Sequence, residues 1–76
     1  MIGKALKYMR VQKNLNQEQI GKLVGFARNT ISQYETEKLQ PDFFTIEKIA
    51  KACGYKIYFD NGQEKFQAKD LERKDI

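Results

Sequence analysis

The sequence contains no histidine and a single cysteine, which limits the chemistry that the chain can support. A structural zinc site needs about four nitrogen, sulfur or carboxylate ligands at defined spacings, so no metal site is expected. A single cysteine forms no internal disulfide, and Cys53 lies on an apolar stripe where a thiol usually packs in the core. Ser32 has no histidine to activate it, and the carboxylates form no evident catalytic pair. The composition therefore predicts neither an enzyme nor a cofactor-binding protein.

Long apolar runs are also missing. No segment approaches the roughly 18 apolar residues that a membrane span requires. The start of the chain, Met1-Ile2-Gly3-Lys4, lacks the apolar stretch of a signal peptide. These features predict a cytoplasmic protein with no membrane partner. A chain of 76 residues forms one domain at most, and its modest core needs well-packed helices, a partner subunit or both.

The charge is moderately basic and unevenly distributed. The net charge of +4 lies wholly in residues 1–54, which hold nine basic and five acidic side chains. Residues 55–76 hold five of each sign and are neutral. An excess of this kind suits a polyanion partner such as nucleic acid, but charge alone leaves ordinary solubility equally open.

Apolar residues recur at helical spacing in the first part of the chain. The first predicted helix covers residues 2–13 and ends at Asn14, which tolerates the left-handed conformation. Asn16 and Gln19 form a capping-box pattern that opens a second helix, and Gly25 ends it. The residues of these helices expected to face inward are Ile2, Ala5, Leu6, Met9, Ile20, Leu23 and Val24.

Two further helices follow. A third is predicted over residues 27–36, and Asp42 caps a fourth that ends at Gly54. Gly21 lies inside the second helix at a cost of up to about 1 kcal/mol, so we expect another helix to approach it closely. The inward-facing residues expected around the third and fourth helices are Phe26, Ala27, Ile31, Tyr34, Phe43, Phe44, Ile46, Ile49, Ala50 and Cys53.

Beyond residue 54 the apolar residues recur at every second position, which predicts strands. Asn61-Gly62 is a strong signal for a two-residue hairpin turn of type I′. The pairs expected in this register are Asp60 with Gln63, Phe59 with Glu64 and Ile57 with Phe66. The tail, residues 68–76, is mostly charged and is expected as frayed helix or disordered chain.

Residues 17–35 have the pattern of a helix-turn-helix, two short helices joined by a tight glycine-containing turn. The major groove of DNA is about 12 Å wide and admits one helix, which the preceding helix holds at a fixed angle. The second helix of the pair therefore needs an apolar inner face and a polar outer face, and residues 28–35 supply both. We interpret that outer face as a recognition surface rather than plain solvated surface.

The segments Gln17-Glu18-Gln19-Ile20-Gly21-Lys22-Leu23-Val24-Gly25 and Arg28-Asn29-Thr30-Ile31-Ser32-Gln33-Tyr34-Glu35 resemble the lambdoid phage repressor and Cro family, often called XRE-type. The resemblance covers roughly two thirds of the chain. It implies a mostly α fold, with a four-helix lambda-repressor-like DNA-binding domain over residues 1–54. A C-terminal β-hairpin over residues 55–67 and a charged tail over residues 68–76 would follow.

The resemblance also implies roles for individual side chains. The residues that would read base edges are Arg28, Asn29, Ser32 and Gln33. The residues that would bind DNA phosphates are Gln17, Thr30 and Lys38, while Arg10 and Glu35 would form a structural ion pair. General physics supports these roles, because helix N-termini favour phosphates, arginine suits guanine, and asparagine or glutamine suits adenine.

Three positions depart from the family pattern. Ala27 stands where relatives usually have serine or threonine, so the third helix lacks a side-chain cap. Glu37 replaces the usual glycine of the following loop, which adds strain and a negative charge near phosphate. The hairpin at residues 55–67 replaces the fifth helix that many relatives use for dimerisation, which leaves the dimer geometry open.

The function implied is a sequence-specific double-stranded DNA-binding transcriptional regulator, a repressor acting as a homodimer on a partly palindromic operator. An alternative is the antitoxin of a toxin–antitoxin pair, which would add a toxin protein as partner and also autoregulate its operon. A third possibility is a protein-interaction module that has lost DNA binding. Dimerisation is expected through the hairpin, with the fourth helix and its preceding loop as the rival surface. The hairpin residues expected to take part are Tyr55, Ile57, Tyr58, Phe59 and Phe66.

Overall fold

The computed structural model describes residues 1–72 and confirms the predicted fold class, a mostly α domain followed by a small hairpin. The elements are α1 (Ile2–Gln12), α2 (Gln17–Val24), α3 (Arg28–Glu35), α4 (Phe43–Ala52), β1 (Phe59–Asp60), β2 (Lys65–Phe66) and a 3₁₀ helix (Ala68–Leu71). The last part of the predicted tail, residues 73–76, lies outside the described residues. Within residues 1–72, each helix falls short of the length and apolar character that crossing a bilayer requires.

Side-chain caps fix where α2 and α4 begin. The Asn16 side chain accepts a hydrogen bond from the Gln19 backbone N–H at 2.7 Å, and the Gln19 side chain accepts one from the Asn16 N–H at 2.8 Å. The Asp42 carboxylate accepts a hydrogen bond from the Thr45 N–H at 2.8 Å. Each cap satisfies backbone donors that the first turn of a helix leaves without partners. The start sites predicted from Asn16 and Asp42 are therefore confirmed.

The core lies where the four helices meet. Phe26 packs edge-on against Tyr34, with ring centroids 5.8 Å apart. This geometry suits the quadrupoles of two aromatic rings. The buried cluster consists of Leu6, Ile20, Val24, Ile31, Tyr34, Ile49 and Cys53.

Several residues predicted to face inward are exposed instead: Ala5, Leu23, Ala27, Phe43 and Phe44. Leu23 is 62 % exposed because the buried face of α2 is centred on Ile20, Gly21 and Val24. At about 100° per residue, Leu23 falls well to one side of that face. Phe43 and Phe44 occupy the first turn of α4, where Phe43 meets Phe59 of the hairpin rather than the core.

Gly21 is required by a close contact, but the neighbour is not another helix as predicted. A Cβ atom at Gly21 would clash with the backbone carbonyl oxygen of Phe26. The Phe26 N–H in turn donates to the Gly21 carbonyl oxygen at 2.8 Å. Gly21 therefore allows the turn after α2 to fold back onto its own helix.

A second glycine fixes the distance between α1 and the recognition helix candidate α3. A Cβ atom at Gly3 would lie 2.5 Å from the carbonyl oxygen of Glu35 and 2.7 Å from that of Tyr34. Only a residue without a side chain lets the start of α1 approach the end of α3 this closely. The sequence reading did not identify this role of Gly3.

The hairpin forms in a different register from the prediction. Phe59 pairs with Phe66 and Asp60 with Lys65, so four residues, 61–64, connect the strands instead of two. The Asn61 side-chain oxygen accepts hydrogen bonds from the N–H groups of Gln63 and Glu64, each at 2.9 Å. These side-chain bonds close a wider loop than a type I′ turn, because asparagine can replace a backbone acceptor.

The strands are also shorter than the predicted segment at residues 55–67. Phe59 lies 5.4 Å from Phe66 and 5.7 Å from Phe43 between ring centroids. The three rings form a continuous aromatic row that joins the hairpin to the first turn of α4. A two-stranded hairpin is marginal in water on its own, so this row is what anchors it to the helical domain.

Candidate nucleic-acid interface

The turn between α2 and α3 is short and tightly bonded. Gly25 takes the left-handed conformation, with φ of 85°, and ends α2. The N–H groups of Gly25 and Phe26 both donate to the Gly21 carbonyl oxygen at 2.8 Å. Three residues, 25–27, thus separate the two helices, and the buried side chains of Ile20 and Ile31 hold them together. This is the geometry expected of a helix-turn-helix.

The outer face of α3 is polar and open to solvent. Arg28, Asn29 and Gln33 are exposed, while Thr30 and Ser32 are half-buried at its edges. Glu35 is the acidic residue of α3, and it is buried on the opposite side of the helix. The four predicted base-reading residues therefore share a surface without carboxylates, which suits contact with the electronegative floor of the major groove.

The N-terminus of α3 has no side-chain cap, as the alanine at position 27 predicted. The first backbone N–H groups of a helix carry partial positive charge, and those of α3 have no side-chain acceptor. An anion near Ala27 and Arg28 could therefore accept these hydrogen bonds and also pair with the charged guanidinium group of Arg28.

A buried polar network ties α3 to α1 and α2. Arg10 binds Glu35 through two parallel hydrogen bonds, Nε to Oε2 at 2.6 Å and Nη2 to Oε1 at 3.0 Å. Its third nitrogen, Nη1, donates to the Leu15 carbonyl oxygen at 2.8 Å. The two side chains are 11 % and 4 % exposed. The hydrogen bond to Glu35 raises the pKa of Arg10 above its usual value.

Gln17 joins this network, a contact that the sequence reading missed. Its amide nitrogen donates to Glu35 Oε1 at 3.1 Å, which links the first residue of α2 to the last residue of α3. No spacing rule connects two positions 18 residues apart, so only the fold could bring them together. Gln17 and Arg28 also line the same shallow cleft of about 350 Å³, together with Arg10, Asn16 and Glu18.

The loop after α3 closes the helix with its own backbone. The N–H groups of Lys38 and Leu39 donate to the Gln33 carbonyl oxygen at 2.9 and 3.2 Å. Glu37 has a φ of 64°, the left-handed conformation that glycine adopts most easily. The Glu37 carboxylate forms an ion pair with the Met1 amino group, which partly neutralises the negative charge at this site. Lys38 remains exposed beside it.

Comparison with models of protein families identifies the family of this chain. A family model described as Helix-turn-helix matches residues 6–59. This chain belongs to the helix-turn-helix family. The XRE-type resemblance based on residues 17–35 is thereby confirmed.

The chain is similar to proteins that are named as regulators or repressors of transcription. The chain is 35 % identical over 57 residues to the cryptic phage CTXphi transcriptional repressor RstR of Vibrio cholerae, covering 75 % of this chain and 51 % of that protein. It is 44 % identical over 52 residues to the HTH-type transcriptional regulator MJ0272 of Methanocaldococcus jannaschii, covering 68 % of this chain and 79 % of the relative. The chain thus spans about half the length of RstR but most of MJ0272.

A solved structure shares the fold. The P22 c2 repressor protein, in a crystal structure with synthetic operator 9T in the presence of Tl⁺, superposes with a TM-score of 0.66 at 25 % sequence identity. The match covers 72 % of this chain and 83 % of that one. The lambda-repressor-like architecture expected from the sequence is therefore confirmed.

Proposed function

We propose that this chain is a sequence-specific DNA-binding repressor of transcription that reads the major groove with α3. The observation that carries this proposal is the outer face of α3, where Arg28, Asn29 and Gln33 project to solvent from a helix held by buried contacts. The P22 c2 repressor has the same fold and was solved with an operator, which supports the same use here. Membership of a family of regulators favours binding over catalysis.

Each polar residue of the motif has a proposed task. Arg28 would bind guanine O6 and N7, and Asn29 and Gln33 would bind adenine. Each of these side chains can form two hydrogen bonds with the edge of that base. Ser32, half-buried beside them, would contact a base edge at shorter range. The residues proposed to bind phosphates, and so to set the register on the duplex, are Gln17, Thr30 and Lys38.

The test is selection of bound sequences from a random pool of double-stranded DNA, followed by affinity measurement for single variants. Arg28→Ala and Gln33→Ala should each lose about 1–3 kcal/mol of binding free energy and relax the preference at one base position. Lys38→Ala should weaken binding to all sequences alike. Gln63→Ala, a glutamine in the exposed hairpin loop, is the matched control and should change neither affinity nor motif. If Arg28→Ala and Gln33→Ala both leave the selected motif unchanged, α3 is not the reading helix.

Salt dependence tests the DNA-binding proposal by a separate route. Each phosphate contact releases condensed counterions, so log affinity should fall linearly with log salt by about 0.9 per phosphate neutralised. Removal of Lys38 should reduce that slope by about 1. An affinity that does not change with salt would contradict the proposed contacts with phosphates.

We further propose that the chain acts as a homodimer through the hairpin surface, as a reader of two half-sites requires. Tyr55, Tyr58 and Phe59 are each about two fifths exposed, while Ile57 and Phe66 are half-buried behind them. Exposed aromatic side chains of this kind are enriched in the interfaces between protein chains. A two-fold dimer would repeat this patch and should place two recognition helices about 34–36 Å apart. The antitoxin alternative would place a toxin protein on the same surface.

Sedimentation of the full chain tests the dimer. A Tyr55→Ser/Tyr58→Ser variant should raise the dimer dissociation constant about tenfold, since buried tyrosines dominate many interfaces. Tyr8→Ser is the matched control, because Tyr8 is 61 % exposed on α1, away from the hairpin. If the double variant dimerises as tightly as the unchanged chain while Phe44→Ser does not, the interface lies on α4 instead.

A further inference from the structure

A second cleft, of about 540 Å³, lies between α4 and two C-terminal segments, residues 54–57 and 67–69. None of the residues that line it belongs to the helix-turn-helix at 17–35. Its volume falls within the range of about 300–1,000 Å³ that is usual for small-molecule sites. The cleft is therefore large enough for a ligand and separate from the proposed DNA-binding face.

The shape of this cleft follows from small residues beneath it and carbon-rich side chains around it. Ala50 is buried, and Gly54, which follows the C-cap of α4, has no side chain, so neither fills the space above them. Phe44, Tyr55 and Ile57 line the sides. Phe44 is 69 % exposed, although it is one of the largest apolar side chains in the chain. A ligand with an apolar body would cover this surface and remove it from water.

The rim of the cleft is strongly cationic. Four lysines line it, together with one glutamate, Glu47, which leaves a net charge of +3. The lysines are Lys48, Lys51, Lys56 and Lys69. Among residues 1–72, the ion pairs formed are those of Met1 with Glu37 and of Arg10 with Glu35, so these four ammonium groups have no carboxylate partner there. Lysine is a flexible point charge whose methylene stem packs on apolar groups while its end reaches an anion.

We propose that this cleft binds a small amphipathic anion, a molecule with an apolar chain or ring system and one anionic group. The apolar part lies against Phe44, Tyr55 and Ile57, and the anionic group lies among the rim lysines. Charge decides the class of ligand, because four like charges repel a cation and attract an anion at short range. The apolar walls favour a ligand that also has an apolar part, because a small hydrated anion leaves the exposed Phe44 ring uncovered.

The test is an NMR titration of the ¹⁵N-labelled full chain with sodium decanoate, held below its micelle concentration. We expect saturable shifts of backbone amides confined to residues 44–57 and 67–69. The uncharged analogue decanol and the cation decyltrimethylammonium should each bind at least about tenfold more weakly, as expected for one lost or reversed charge interaction. Equal affinity for all three compounds, or shifts spread over α1 and α2, would overturn the proposal.

Charge-removing variants locate the carboxylate. Lys51→Gln/Lys56→Gln should weaken decanoate binding about tenfold, and Lys4→Gln/Lys7→Gln, on exposed positions of α1, should leave it unchanged. Two other occupants are distinguished with the same sample. A short DNA duplex that shifts the cleft amides as decanoate does would show a nucleic-acid surface. Because Tyr55 and Ile57 also belong to the proposed dimer surface, a ligand in the cleft should compete with the second copy of the chain. Cleft shifts on dilution that decanoate leaves unchanged would show that the second copy, and not an anion, covers the cleft. Either result would refute the proposed ligand class.

Discussion

Arg10 and Glu35 lie 25 residues apart and meet in a buried ion pair with two parallel hydrogen bonds, at 2.6 and 3.0 Å. Gln17 shares the Glu35 carboxylate, so one acidic side chain receives donors from both α1 and α2. The carboxylate sits at the end of α3, whose other face carries the proposed base-reading residues. The pair therefore fixes the orientation of α3, whose outer face is the proposed DNA-binding surface.

Loss of this pair should destabilise the fold strongly. Glu35→Ala leaves the buried Arg10 charge without its partner, which typically costs about 3–5 kcal/mol of unfolding free energy. In a domain of this size, each kcal/mol corresponds to about 4–8 °C in melting temperature. Glu37→Ala is the control, because its partner, the Met1 amino group, is fully exposed and such pairs contribute about 0–1 kcal/mol. Thermal unfolding that shows equal small losses for both variants would contradict a stabilising role for the buried pair.

Glycine at position 37 should relieve backbone strain in the loop after α3. Its φ of 64° costs about 1–2 kcal/mol for a residue with a Cβ atom, and glycine adopts that conformation freely. We expect Glu37→Gly to be more stable than Glu37→Ala by about 1 kcal/mol in urea unfolding. Both variants lose the same carboxylate, so their difference isolates the backbone effect. A glycine variant no more stable than the alanine variant would show that the loop relaxes without strain.

Gly21→Ala should destabilise the protein although alanine is the better helix former. The added Cβ would clash with the backbone carbonyl oxygen of Phe26, which a turn held by two hydrogen bonds cannot easily move. Overpacking of this kind costs about 1–3 kcal/mol, more than the gain of up to about 1 kcal/mol in helix propensity. Lys22→Ala, on the exposed next position, should change stability by less than about 0.5 kcal/mol. Urea unfolding measures both, and a Gly21→Ala protein as stable as the parent would show that the turn can move aside.

Asp42 should contribute to the acid sensitivity of the fold. Hydrogen bonding from Thr45 lowers the pKa of the Asp42 carboxyl below its usual value. Because the folded-state pKa is the lower one, the stabilisation is present above the unfolded-state pKa of about 3.9 and is lost as pH falls through the folded-state value. Asp42→Asn keeps a capping oxygen but does not titrate. Such a carboxyl group titrates between about pH 5 and about pH 2. Over this range the melting temperature of the Asp42→Asn variant should therefore fall less than that of the parent. Parallel curves would rule out this linkage.

The starts of α2 and α4 and the end of α1 could be predicted because their signals are local. Asn16 with Gln19, and Asp42 with Thr45, lie three residues apart, so one turn of helix brings donor and acceptor together whatever the rest of the chain does. Asn14 takes the left-handed conformation, with φ of 61°, as expected for a residue that ends a helix. The polar outer face of α3 could also be predicted from the sequence, since its residues recur at helical spacing.

The hairpin shows where local signals fail. Asn61-Gly62 favours a two-residue turn in isolation. The wider loop is stabilised by the two hydrogen bonds that the Asn61 side-chain oxygen accepts and by the packing of Phe59 against Phe66. The difference in free energy between adjacent registers is small when the strands have two residues each. The row of rings that reaches Phe43 then selects one register, and this contact depends on where α4 lies.

The sequence by itself determined the family, the helix boundaries within a residue or two, and the polar residues on the outer face of α3. Only the tertiary structure decided that Leu23 faces solvent, that Gly21 makes room for its own turn, and that Gln17 binds Glu35. The physical reason is the range of the interactions. Capping and helical periodicity act over three or four residues, whereas a buried face or a shared carboxylate depends on which distant elements meet and at what angle.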